Sequence, residues 1–307
     1  MKRLQNKIAE SGATLPTVVM VALALQMASS FPTTIGAWTS LLCFALTAYL
    51  MVELSNTNAL LRIRSRMVTS SFIALSCAGG LMTGSIPPML TQLSMVGALY
   101  ILFMTYQDKR AMNKVYFAFL FVSLASITFV KTLLLVPLIW ILMATQLQSL
   151  NWRTWSASIL GLATPYWVML PWLLYQHDFG LWADHIERLC TFAPPLALGT
   201  LTAGQTAIFV FTTVLCTASI IHSLSYSFED KIRIRLLYGF LSNMAVACMV
   251  FLLLQPQHYD TLMRLILVFA SPLIAHFLTF TSSRLSNIVF IAVLIVTVGI
   301  FVLNAFL

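Results

Sequence analysis

With 307 residues, 60% of them hydrophobic and only 8% charged, the chain cannot fold as a water-soluble domain, whose wetted surface needs roughly a quarter of its residues charged. The net charge of +8 does not mark a nucleic-acid partner, because the basic residues sit in short clusters beside apolar stretches, where anionic headgroups are nearer. Neither a disulfide framework nor a metal site is expected. Four cysteines (Cys43, Cys77, Cys216, Cys248) lie in apolar stretches as small hydrophobes, Cys190 stands alone in a loop, and no CxxC or Cys/His spacing occurs.

A bilayer crossing takes about 20 apolar residues. In chain order, hydropathy predicts helices over 13–30, 35–53, 67–85, 88–106, 115–130, 132–146, 156–175, 200–222, 236–254, 264–280 and 287–306. Lys2, Arg3 and Lys7 ahead of the first apolar run have the form of a signal peptide. The next span follows within about ten residues, so the first is read as an uncleaved helix. In the third span, Gly80 and Gly84 form a GxxxG pattern that predicts close helix packing.

Orientation comes from the Lys and Arg residues. Fourteen of the seventeen fall in alternate gaps: Lys2, Arg3 and Lys7; Arg62, Arg64 and Arg66; Lys109, Arg110 and Lys114; Arg153; Lys231, Arg233 and Arg235; and Arg284. Only Lys131, Arg188 and Arg264 occupy the other gaps. Cytoplasmic loops retain Lys and Arg, so the reading is an all-α, polytopic transmembrane bundle of about eleven helices. Its N-terminus is inside, its C-terminus outside, and residues 1–307 form one membrane domain without a soluble domain. This parity requires 115–146 to be a hairpin turning at Lys131. One long crossing there would move Lys231, Arg233 and Arg235 to the outside. The hairpin arms are short for a bilayer at about 15 residues, or roughly 23 Å, each.

Three places could carry chemistry. Lys131, with Ser123, Ser126, Thr128 and Thr132 nearby and Pro137 as a kink, fits either a snorkelling lysine or an anion-binding residue on interrupted helices. His276 lies inside the tenth span, where an ionisable residue is a functional candidate by default. Gln92, Gln205 and Asn243 are its expected hydrogen-bond partners, and His222 is read as solvated at an inner helix end. The third place is the outer segment after His177 and Asp178. There Trp182, Ile186, Leu189 and Cys190 share one helical side, with Asp184, Glu187 and Arg188 opposite, as in an amphipathic helix on the outer membrane surface. Asp184 and Arg188 can pair at i,i+4.

An enzyme could use that segment differently. Asp184, His185 and Glu187 are the candidate acid–base groups, with His258 and Asp260 in the next outer loop. Arg188 and Arg264 would hold a pyrophosphate. No HExxH, GxSxG, Walker A or GxGxxG pattern is present, so no metal or nucleotide cofactor is expected.

The runs ELSNTNALLRIRSR (Glu53–Arg66), KVYFAFLFVSLAS (Lys114–Ser126) and LVPLIW (Leu135–Trp140) resemble a family of polytopic inner-membrane proteins of Bacteroidota over roughly residues 15–175. The resemblance implies a bacterial inner membrane and a place in cell-envelope glycan biology. It assigns no catalytic residue. The expected function is therefore binding or translocation of an amphiphilic, anionic envelope precursor such as a lipid-linked glycan, using Lys131, His276, Arg188 and Arg264. The alternatives are an outer-face glycan transferase or ligase, and a non-catalytic subunit assembling with other envelope proteins. Whether the chain is an enzyme stays open, with the balance towards not.

Overall fold

A computed structural model of the protein describes residues 8–29, 31–63, 65–176, 180–192, 194, 196, 198–225, 230–280 and 284–306. Most of these residues are helical, and there is no strand among them. In chain order the helices are α1 (Thr14–Ser29), α2 (Ile35–Asn58), α3 (Met67–Ala78), α4 (Ile86–Phe103), α5 (Met112–Thr128), α6 (Val136–Thr145), α7 (Trp152–Gln176), α8 (Gly180–Cys190), α9 (Ala203–Ser225), α10 (Ile232–Leu254), α11 (Tyr259–Phe280) and α12 (Arg284–Phe306). A 3-10 turn, Val130–Leu135, joins α5 to α6. Each predicted span overlaps a helix, with bounds that differ. Among the described residues, six helices are long and apolar enough to cross a membrane: α2, α4, α9, α10, α11 and α12.

Local chemistry sets the breaks. Thr34 caps α2 by accepting from the Ala37 amide, and the helix ends where Ala59 turns left-handed at φ 48°. Prolines 87 and 88 open α4, where the first helical amides have no intrahelical partner to lose. The third span stops at Ala78 and does not run to residue 85. Gly80 and Gly84 take φ of +65° and +150°, conformations no helix contains. The GxxxG pattern is therefore a turn, and the packing expected of it is not made there. The closest approach of a glycine to another helix's backbone is made by Gly161 of α7 instead. A β-carbon built on Gly161 would sit 2.4 Å from the Tyr116 carbonyl oxygen of α5.

The chain reverses within 115–146. Phe129 breaks α5 with extended backbone (φ −142°, ψ 91°), and Pro137 starts α6 at its first turn rather than kinking it. The returning arm brings Leu147 back to where α5 set out, so that the Gln107 amide donates to the Leu147 carbonyl at 2.8 Å. That bond joins positions which a single uninterrupted helix would hold tens of ångströms apart.

One end of the bundle is therefore rich in basic groups. Arg233 lies over the Tyr106 ring at 5.7 Å and donates to Asn58 at 2.9 Å, and Lys114 donates to the Met104 carbonyl at 3.2 Å. At the far end, Asn304 donates to the Ala78 carbonyl at 2.9 Å and Gln26 to Thr83 at 3.1 Å. Between the ends, α11 forms the centre, with 94% of its most apolar window buried against α3, α4, α9 and α10. Apolar side chains of α2 and α12, including Ile35, Trp38, Leu42, Ile288, Ile295 and Val298, point outward.

Candidate functional site

The 3-10 turn carries Lys131 into the far end of the bundle, where its side chain is 3% exposed. Its Nζ lies 3.0 Å from His258 Nε2 and 4.9 Å from the centre of the Phe192 ring. An ammonium only donates, so His258 Nε2 accepts and the imidazole proton sits on Nδ1. His258 is held from behind by the Phe129 ring, 5.1 Å away and edge-on. No carboxylate pairs with Lys131 among the described residues.

These groups line a cavity of about 460 Å³ with Thr128, His185, Arg188 and Gln257. Residues from the hairpin turn, α8 and the start of the last buried helix thus converge across more than a hundred positions of sequence. Burial, reinforced by the nearby charge of Arg188, moves the His185 imidazole below its ordinary pKa range, so the ring is neutral at pH 7. Its Nε2 lies 3.3 Å from the Tyr166 hydroxyl, which in turn meets Ser126 at 2.6 Å. Two cations and two imidazoles then face one space that no carboxylate lines among the described residues. Such a space attracts an anion, and Arg188 offers the planar donor fork that matches phosphate oxygens.

A second cavity of about 350 Å³ adjoins the first, sharing Val130 and His185 with it. It is apolar, walled by Leu133, Trp167, Leu170, Ile186 and Leu189, and opens on the outer face of α7, where Trp167 is 71% exposed. The pair forms a polar chamber with an apolar side arm.

The other predicted residues lie elsewhere. Asp184 and Glu187 are exposed on α8 and line neither cavity, and no Asp184–Arg188 ion pair forms among the described residues. His177 and Asp178, like the Trp182 side chain, fall outside the described residues. Arg264 is 1% exposed and cannot join Arg188 on a pyrophosphate. Its guanidinium already donates to the Leu81 carbonyl at 2.5 Å, to Thr83 O at 3.2 Å and to Asp260 at 3.0 Å. It is a staple that holds the glycine turn after α3. The hydroxyls expected beside Lys131 serve helix contacts: Ser123 donates to Leu162 O at 2.7 Å, and Thr128 meets Thr91 at 2.7 Å. Thr128 alone of the four lines the cavity.

His276 belongs to the opposite, basic end. Its Nε2 lies 3.0 Å from Asp230 Oδ2, and none of the three expected partners reaches it. Asn243 donates to its own helix at Gly239 O, and Gln205 engages the Thr202 amide. Gln92 is buried in α4 with its Oε1 unpartnered. His222, expected in solvent, lies with its ring 5.7 Å from that of His276. The sequence reading missed Asp230, whose two partners are 46 and 168 positions away, and no spacing rule reaches that far.

The fold and these cavities define an all-helical bundle with membrane-length apolar helices. No protein-family model matches the chain, and no curated protein or solved structure matches it significantly.

Proposed function

We propose that the protein is a multi-pass bacterial inner-membrane protein, basic end in the cytoplasm, that binds and moves an amphiphilic, anionic envelope precursor such as a lipid-linked glycan. The single observation that carries this reading is the pairing of cavities at the far end. Lys131 and Arg188 face a chamber that no carboxylate lines among the described residues, and an apolar arm leads from it past Trp167 to the outer face of the bundle. An anionic head and a hydrocarbon tail would occupy the two parts together. The placement of the basic loops supports the orientation, because Lys and Arg are retained on the cytoplasmic side, and gives about eleven crossings with the C-terminus outside. Of the transferase reading's three candidate acid–base groups, His185 lines the chamber, whereas the two carboxylates, Asp184 and Glu187, stand away from it, so that reading has less support.

The test is binding to the full chain in nanodiscs, read by native mass spectrometry with a polyprenyl phosphate, the matching uncharged polyprenol, and inorganic phosphate. A charge-assisted hydrogen bond contributes about 1.5–3 kcal/mol, so Lys131→Leu is expected to weaken polyprenyl phosphate binding by about tenfold or more. Lys131→Arg should keep most of it, because charge is retained. Equal binding by wild type and Lys131→Leu, or equal binding of the polyprenol, would overturn the reading.

A further inference from the structure

At the basic end, three segments meet on one carboxylate. Asp230, ahead of α10, receives the Arg62 Nε at 2.6 Å on one oxygen and faces His276 Nε2 at 3.0 Å with the other. The Asp230 side chain is 3% exposed and that of His276 is 0% exposed, whereas Arg62 is 31% exposed. Because Asp230 is already matched by the guanidinium, His276 is uncharged in this arrangement, its proton on Nε2 and donated to Asp230. That leaves Nδ1 as a bare lone pair, and it is buried with no hydrogen-bond partner. Rings pack around the His276 imidazole, with Tyr238 and Phe280 centred 4.7 Å from its own centre and His222 5.7 Å. An orphaned acceptor at full burial is destabilising, and the fold keeps it beside a carboxylate.

We infer that His276 is a proton-binding site, and that filling it releases Arg62 from Asp230 and frees the basic end of the bundle. The step is balanced simply. A proton from water adds to the Nδ1 lone pair, Nε2 keeps its own, and the imidazole becomes imidazolium. Asp230 then faces two cations with one charge, and the sum over Arg62, Asp230 and His276 passes from neutral to +1. Surplus charge is expensive where water cannot reach it. Of the two cations, His276 is fixed inside α11, whereas Arg62 sits on the loop after α2 with water in reach. Arg62 therefore leaves, giving up its place over the Phe280 ring at 4.9 Å as well. Among the described residues, the titratable and charged groups that face this cluster are Asp230, Arg62, Tyr238 from α10 and His222 from α9. Arg233 stands one step further out, bonded to Asn58, and its charge adds to the pressure on Arg62.

The inference goes beyond ligand binding at the far end and does not depend on it. Together the two would give a carrier an ion to run on. The test uses the full chain in nanodiscs, with ¹⁵N-histidine spectra from about pH 8 to pH 5, the range in which histidines change charge. His276→Gln assigns the signal. Hydrogen–deuterium exchange is followed in peptides covering 58–63 and 230–238. The expected result is that His276 takes up a proton as pH falls and that exchange in both peptides rises by about fivefold or more, a shift of about 1 kcal/mol in the opening equilibrium. Arg62→Gln should show the raised exchange already at the alkaline end, and it carries the test with the wild type should His276→Gln fail to accumulate. A His276 that stays neutral throughout, or charges without any rise in exchange, overturns the inference, as does an equal acid response in His276→Gln. Lys131→Leu is expected to keep the acid response, so failure of the far-end binding reading and failure of the proton site appear in different samples.

Discussion

Gly161→Ala places one methyl group where α5 and α7 touch most closely. A β-carbon there would lie 2.4 Å from Tyr116 O, 3.1 Å from the Leu120 amide nitrogen and 3.1 Å from Phe119 Cβ. Two of these three atoms belong to backbone, which no rotamer change can clear. Restoring ordinary contact requires the helices to part by about 1 Å. Three bonds span the same seam: Ser123 to Leu162 O at 2.7 Å, Ser126 to Tyr166 at 2.6 Å and Tyr116 to Thr164 at 3.0 Å. Lengthened by about 1 Å, each passes the limit of a hydrogen bond. Overpacking of this kind costs about 1–3 kcal/mol and each lost bond about 1 kcal/mol, so about 4–6 kcal/mol is expected, roughly a thousandfold or more in the folding equilibrium. The assay is abundance in membranes together with thermal unfolding of the purified protein. Gly299→Ala in α12 is the control, because nothing lies within 4 Å of its added carbon and alanine is the better helix former. A Gly161→Ala protein as abundant and as heat-resistant as the Gly299→Ala control would refute the reasoning.

Reporter fusions after Tyr106, Gln148 and Arg235 should report one side of the membrane and a fusion after Phe192 the other, because the Gln107–Leu147 bond and the Arg233–Tyr106 contact gather the first three at one end. Reversal between Tyr106 and Gln148 would refute the hairpin. On α8, Asp184→Asn and Glu187→Gln should leave binding of polyprenyl phosphate and protein level nearly unchanged, since exposed charges contribute at most about 1 kcal/mol. Ile186→Asp should reduce binding by setting a charge in the apolar arm, and loss of binding on neutralising Glu187 alone would show that the chamber extends further than drawn.

Hydropathy was enough to find the helices, because a crossing segment must be apolar along about 20 residues whatever it packs against. The spacing of Lys and Arg also foretold the reversal at Lys131, which hydropathy alone could not, since 115–146 reads as one apolar run. Where the reading failed, the cause was conformational or distant. GxxxG marks a helix contact only if both glycines are helical, and the positive φ of Gly80 and Gly84 has no signature separating it from small-residue packing. Gly161 is a lone glycine among apolar residues, and its role appears only with Tyr116 opposite. At the site, Lys131, His185, Arg188 and His258 could each be singled out as ionisable residues in outer loops. Their meeting, the exclusion of Arg264 and the tie of His276 to Asp230 depend on loop paths that periodicity does not describe.

The central position of α11 has a consequence for biogenesis. It is synthesised after α3, α4, α9 and α10, yet all four pack on it, so those earlier helices enter the bilayer around a vacant axis. Arg264 and His276 make α11 a poor candidate to wait alone in lipid, where charged and polar side chains are costly. Their partners, the Leu81 and Thr83 carbonyls and Asp230, have by then already been made. Insertion of α11 and closure of the bundle are thus a single late event, and a nascent chain released before Tyr259 offers the membrane quality-control proteases a ring of helices without its axle.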